Sequence, residues 1–299
     1  MLNLSTVLKR TAITAVATAV VYTPLSAVAD SDLTLQVYNP GEKSMFPVTS
    51  TLITGDNEAM LIDAQFQRND AQALVKMIRD SGKKLTTVFI SAADPDFYFG
   101  LDVIKTQFPD VTVLASEETI KKIQQTIVRK EAYWGPILGE NAPQMLVIPK
   151  PLKGDTLSVD GEQIKVVGLD GPDPAHAFLW IPESKTVLGG VALYDNMHVW
   201  VADTQTQESR DHWRGTLDSV TALQPERVIP GHYLGANKGD LTAINYTYTY
   251  VTTFEKASAK AANSAELIDA MESHYPGKGG TGSLQISAKV LEGEMKWPQ

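Results

Sequence analysis

Short apolar runs alternate with helix-spaced apolar stripes along most of this chain. Residues 33–38 alternate apolar and polar with the period of two that suits a half-buried strand. Residues 48–54 form a second extended run, and Gly55-Asp56-Asn57 supplies a turn. Ala59-Met60-Leu61-Ile62-Asp63 then reads as the returning strand of a hairpin, ending on a carboxylate. Ala71, Leu74, Val75 and Ile78 recur at i, i+3, i+4 and i+7, which predicts a helix closed by Gly82. A strand over 85–90, a helix from Leu101 and a strand over 111–114 complete a β-α-β-α-β succession. Strands alternating with helices predict an α/β layered fold.

The pattern changes beyond Ser116. A longer helix with mixed charges runs from Glu117 to about Tyr133, and Trp134-Gly135-Pro136 ends it. Strands follow over 145–148, 156–159, 163–168, 177–181 and 186–193. An amphipathic helix covers 209–223, and a last strand, 227–230, leads into Gly231-His232. From about residue 240 the pattern is helical. Tyr246-Thr247-Tyr248-Thr249-Tyr250 alternates like a strand, yet Leu241, Ile244, Tyr248 and Val251 suit a helix better. Asn263 and Glu266 make a capping box for a helix reaching His274, and a final helix spans about 283–292. No stretch reads as an interdomain linker, so residues 30–299 are expected to form a single domain with a helical C-terminal extension.

The first residues do not belong to that domain. Lys9 and Arg10 precede an uncharged, mostly apolar stretch, and Ala27-Val28-Ala29 is a small-x-small cleavage signal. Residues 1–29 are therefore expected to be a signal peptide, which places the mature chain in the periplasm or outside the cell. Removing them takes away two positive charges and no negative ones, shifting the formal net charge from −9 to −11. An acidic chain without a basic tract excludes nucleic acid and anionic lipid as expected partners. The absence of cysteine excludes disulfides and thiolate chemistry and suits an oxidising compartment.

The candidate chemistry lies at the ends of strands. Asp94-Pro95-Asp96 places two carboxylates around a proline directly after the strand 85–90, where scaffolds commonly hold functional groups. Among the five histidines, His176 precedes one apolar strand and His232 follows another, each behind a small residue. Two imidazoles and one or two carboxylates form a sensible donor set for a divalent metal. Oxygen-rich ligation tilts the preference from zinc toward manganese or iron and acidifies a bound water less than an all-imidazole centre does.

At these residues the chain resembles the metallo-β-lactamase superfamily. Residues 90–100 resemble the signature loop H-x-H-x-D-H followed by glycines, Pro174-Ala175-His176 the later P-G-H, Val187-Leu188-Gly189-Gly190-Val191 the strand ending in G-D, and Pro230-Gly231-His232 the terminal G-H. The resemblance implies an αββα four-layer sandwich with metals at one edge of the two sheets, and hydrolysis of esters, lactones, thioesters, amides or phosphoesters. The departures are equally specific. The first signature histidine falls on Ala92, the second on Asp94 and the last on Phe97, while the bridging aspartate falls on Val191. The resemblance thus implies one divalent metal held by Asp94, Asp96, His176 and His232, with Asp96 as catalytic base or ligand. Asp63 is a candidate to orient a ligand. His198, Tyr98, Trp200 and Tyr233 are candidates for the pocket, and the helical extension for a substrate wall or a homodimer contact.

Three functions follow from this pattern. The first is an exported hydrolase with a reduced, mononuclear metal site acting on a small ester, lactone or thioester. The second is a ligand-binding pseudoenzyme, motivated by Ala92, Phe97 and Val191. The third is an iron oxygenase, since two histidines and a carboxylate resemble a facial triad. The donor set argues against β-lactam turnover.

Overall fold

Alternation along the strands decides the layering. The computed structural model describes residues 33–297; the expected signal peptide lies outside the described residues. The first sheet runs β1 (Thr34–Tyr38), β2 (Ser50–Thr54), β3 (Glu58–Ile62), β4 (Lys84–Ile90), β5 (Thr112–Ala115), β6 (Lys150–Pro151), in that order. Its first three strands pair antiparallel and the rest parallel. There follow β7 (Thr156–Val159), β8 (Glu162–Val167), β9 (Phe178–Ile181), β10 (Thr186–Leu188), β11 (Tyr194–Asp195), β12 (Arg227–Val228) and β13 (His232–Tyr233). The second sheet has the order β12-β10-β9-β8-β7, and β11 pairs with β13 so that Tyr194 stands opposite His232.

Successive side chains of a strand point to opposite faces. From β2, β3 and β4, Leu52, Leu61, Val88 and Ile90 enter one apolar core, while Ile53, Met60, Ile62 and Phe89 enter another. That second core also receives Leu157, Ile164, Leu179 and Leu188, so it is the seam between the sheets. Phe178 and Val187, from β9 and β10, enter a third core on the far side. Strands buried on both faces read as continuous apolar runs, which is the pattern at residues 59–62.

Helices cover both outer faces. On the first sheet lie α1 (Arg68–Ser81), α2 (Pro95–Tyr98), α3 (Leu101–Gln107) and α4 (Glu117–Leu138). On the second lie α5 (Gln207–Ala222), α6 (Thr242–Ser258), α7 (Ser264–His274) and α8 (Thr281–Leu291). The result is the αββα sandwich with a helical C-terminal part.

Four details depart from the sequence reading. Residues 145–148 form no strand; Met145, Leu146 and Ile148 are exposed, with no layer covering them. The strand starting at Thr186 stops at Leu188, because Gly189 and Gly190 take φ of 72° and 75°. Helix α4 runs through Pro136 to Leu138. The proline sits in the last turn, where its missing N–H removes only one helix bond. Trp134 holds that turn by packing edge-on against Phe46 and Phe66. At α7, Glu266 N–H donates to Asn263 Oδ1 at 3.0 Å, but the Glu266 carboxylate accepts from Ala262 N rather than from the cap residue.

Close backbone approach fixes the chain around the loop after β4. A Cβ on Gly100 would stand 2.1 Å from the Ala64 carbonyl oxygen, whereas one on Gly215, inside α5, would meet nothing within 4 Å. Gly100→Ala is expected to lower stability by about 2–3 kcal/mol, and Gly215→Ala to raise it by about 0.5–1 kcal/mol, in urea denaturation.

Candidate functional site

The site lies where β4, β11 and β13 end on the same edge of the sandwich. Asp63 stands one residue past β3, in the left-handed region at φ 62°, and its carboxyl is buried. Ser91 N donates to Asp63 Oδ1 at 2.8 Å, and Ser91 Oγ to Oδ2 at 2.6 Å. Ser91 Oγ accepts in turn from Gly190 N at 2.7 Å. This chain of bonds ties the first sheet to the segment leaving β10. Burial raises the Asp63 carboxyl to about 7, against the opposing pull of the Ser91 hydrogen bonds.

Beyond Ser91 the chain forms the floor of a narrow cleft. Asp94, Pro95 and Asp96 line it, together with Tyr194 and His232 from the β11–β13 pair. Four aromatic rings form its walls: Phe46, Trp134 from α4, Trp200 and Trp297. Phe46 meets Trp134 at 84° and Trp200 at 87°, and Trp200 meets Trp297 at 70°. The rings therefore stand as upright walls around an open space. The cleft holds about 500 Å³ of atom-free volume with its mouth included.

Charge in the cleft is unevenly compensated. Lys130 Nζ, from α4, donates to Asp94 Oδ1 and to the Ala93 carbonyl, both at 3.1 Å. Asp96 Oδ2 lies 3.2 Å from His232 Nε2. Burial raises the Asp96 carboxyl, and the neighbouring Asp94 charge adds to the shift. Burial lowers His232 to about 4, although Asp94 opposes it. Both shifts disfavour the charged forms of the two groups. His232 stacks on Tyr194 and meets the Phe97 ring edge-on. Behind the wall, Asp203 accepts from Trp200 Nε1 at 2.5 Å and Trp297 Nε1 at 2.9 Å. Asp203 itself is exposed to solvent.

Of the expected metal ligands, Asp94, Asp96 and His232 meet in the cleft. His176 does not: its Nδ1 lies 2.6 Å from Asp173 Oδ2, and its ring stacks on Trp213 at 4.4 Å. Among the described residues, no group of three or more His, Cys, Asp or Glu side chains could hold a metal ion. Trp200 lines the cleft as expected. Tyr98 is buried in the first core without a partner for its hydroxyl, and His198 is buried with Nδ1 on Tyr250 Oη at 2.8 Å. Tyr233 is half-buried outside the lining. Asp63 orients Ser91 rather than a histidine.

Lys130 escaped the sequence reading, yet it left a signal. Ile120, Ile123, Ile127 and Trp134 are the buried stripe of α4, and Lys130 falls at the vacant place in that three–four spacing. A charge inside an apolar stripe needs a partner within the protein. Trp297 and Asp203 had no comparable signal, because only the tertiary fold brings them to the cleft.

A family model of the metallo-beta-lactamase superfamily matches residues 45–232, and the chain belongs to that superfamily. A metallo-beta-lactamase family protein from Thermus thermophilus superposes with a TM-score of 0.59 at 18% identity, over 86% of this chain and 91% of that one. A metallo-beta-lactamase from Pontibacter korlensis gives 0.51 at 15% identity, over 74% and 99%. The uncharacterized protein YobT of Bacillus subtilis (strain 168) is 29% identical over 136 residues, 44% of this chain. That match spans about half of the relative's length, 54%.

Within this family frame the residues do not fit the expected divalent metal. Ala92 and Phe97 are packed into the apolar core, Val191 presents an aliphatic wall, and His176 is committed to Asp173. His176 does not line the cleft with His232, so the two imidazoles of the facial-triad expectation do not share it.

The Asp63 shift has a definite sign. Its folded value, about 7, lies above the ordinary 3.8, so the folded protein binds this proton more tightly than the unfolded chain. The stabilisation it contributes is complete below about pH 4 and is lost as the pH rises to about 7. Across that window wild-type stability is expected to fall by up to about 4 kcal/mol relative to Asp63→Asn, read from denaturation midpoints at a series of pH values.

Proposed function

We propose that this chain binds a small organic molecule in the aromatic cleft and does so without a metal. The observation that carries the reading is the Lys130 ammonium on Asp94, in the place where the family resemblance calls for a cation. An ammonium fixed by two hydrogen bonds supplies one positive charge next to the carboxylates without offering an open coordination position. His176, turned to Asp173, supports the same reading. The cleft itself supports a binding role: it is concave and mostly aromatic, with a few convergent polar groups. The signal-like start argues that this role is exercised outside the cytoplasm.

A metallohydrolase would require His176 to leave Asp173 and Lys130 to release Asp94. Asp96 Oδ2 and His232 Nε2 stand 3.2 Å apart at the cleft floor, where they can meet a hydrogen-bonding group on an occupant.

Metal content after dialysis against zinc, manganese or ferrous iron tests the proposal. Far less than one ion per chain is expected. One ion per chain, lost in both Asp94→Ala and His232→Ala, together with turnover of ester, lactone or thioester substrates, would sink it. Lys130→Met is expected to lower stability by about 1–2 kcal/mol, because Asp94 loses its partner but remains about one-third exposed.

A further inference from the structure

The cleft carries more acid than base. Asp94 and Asp96 line it and Asp203 stands behind Trp200 and Trp297, while Lys130 is the only cation in the lining among the described residues. Lys130 is already bonded to Asp94, and among the described residues no second cation in the lining faces Asp96. Asp203 also holds both indole N–H groups away from the cavity, which leaves the ring faces and edges of Trp200 and Trp297 as the wall. Phe46 and Trp134 complete the enclosure at nearly right angles. Aromatic faces attract a cation through the ring quadrupole, and several walls around one space are how proteins hold substituted ammonium groups. The Asp94 and Asp96 carboxyls in the same lining favour a polar occupant over a purely hydrocarbon one.

We propose that the occupant of the cleft is a small organic ammonium ion, held between the Phe46, Trp134, Trp200 and Trp297 rings and the Asp94 and Asp96 carboxyls. This rests on the metal-free binding reading and adds the sign of the ligand's charge. An anion would meet one ammonium and up to three carboxylates. A neutral molecule would leave the imbalance untouched.

Three probes of one shape separate these cases: choline, its neutral carbon analogue 3,3-dimethylbutan-1-ol, and the anion 3,3-dimethylbutanoate. Binding is read by the fluorescence of the lining tryptophans and by calorimetry on the full chain. Choline is expected to bind at least tenfold more tightly than the neutral analogue, with the anion weakest. Lys130→Met should tighten choline several-fold, because it removes a like charge; Trp200→Leu and Asp96→Asn should each weaken it several-fold. Equal binding of the neutral probe, or tighter binding of the anion with a loss in Lys130→Met, would overturn the cation while leaving metal-free ligand binding intact. Failure of all three probes would also overturn it. Stoichiometric zinc that displaces choline would instead overturn the metal-free reading itself.

Discussion

Everything at the working edge of this protein depends on the buried carboxyl of Asp63. It receives the backbone N–H and the hydroxyl of Ser91, and Ser91 receives Gly190. These three bonds join the ends of β3 and β4 to the exit of β10, across the seam between two sheets. The cost of burying a carboxyl is offset in part by satisfying it locally, while burial still raises the Asp63 carboxyl. Loops at this edge are held in register from both sides, so Asp94, Asp96 and Val191 occupy fixed positions around one space.

That constraint explains how a fold usually associated with metal chemistry persists when the ligand positions change. The sandwich is held by three apolar cores and by backbone bonds such as Ala64 N to the Phe97 carbonyl, not by an ion at its edge. Phe97 and Ala92 extend the first core into positions where the resemblance calls for imidazole. The remaining carboxylates still require compensation. Lys130 supplies part of it from α4 through its bond to Asp94, and that ammonium offers no coordination position.

Legibility in the sequence followed the range of the physics involved. Period-two and helix-period patterns are local, so the sheets, the helices and the tyrosine-rich α6 could be read from neighbours in the chain. The strand expected over 145–148 failed because apolar alternation does not reveal whether a covering layer exists. Three of the four expected ligands converge, since strand ends of an α/β sandwich share one edge. His176 fails because its partner, Asp173, lies three residues away in the same loop and a stacking surface is provided by Trp213. Local competition of this kind cannot be seen from motif spacing. Lys130 was readable in principle, as a charge at a buried stripe position, but its partner lies 36 residues away.

The position of Lys130 also determines how selective the cleft can be. A free ammonium among three carboxyls would act as a general counter-charge and repel any cationic guest. Bound to Asp94 Oδ1 and the Ala93 carbonyl, it is spent on one side of the floor, and the field seen from the aromatic walls is set by Asp96 and Asp203. Those two groups differ in access: Asp96 lines the space, whereas Asp203 acts from behind the indoles it orients. Under the proposed reading a guest is drawn by charge but contacts mainly ring faces, an arrangement in which shape selects size and charge selects sign. Changing Asp203 would disturb both at once, because the same carboxylate positions the Trp200 and Trp297 walls and contributes to the potential between them.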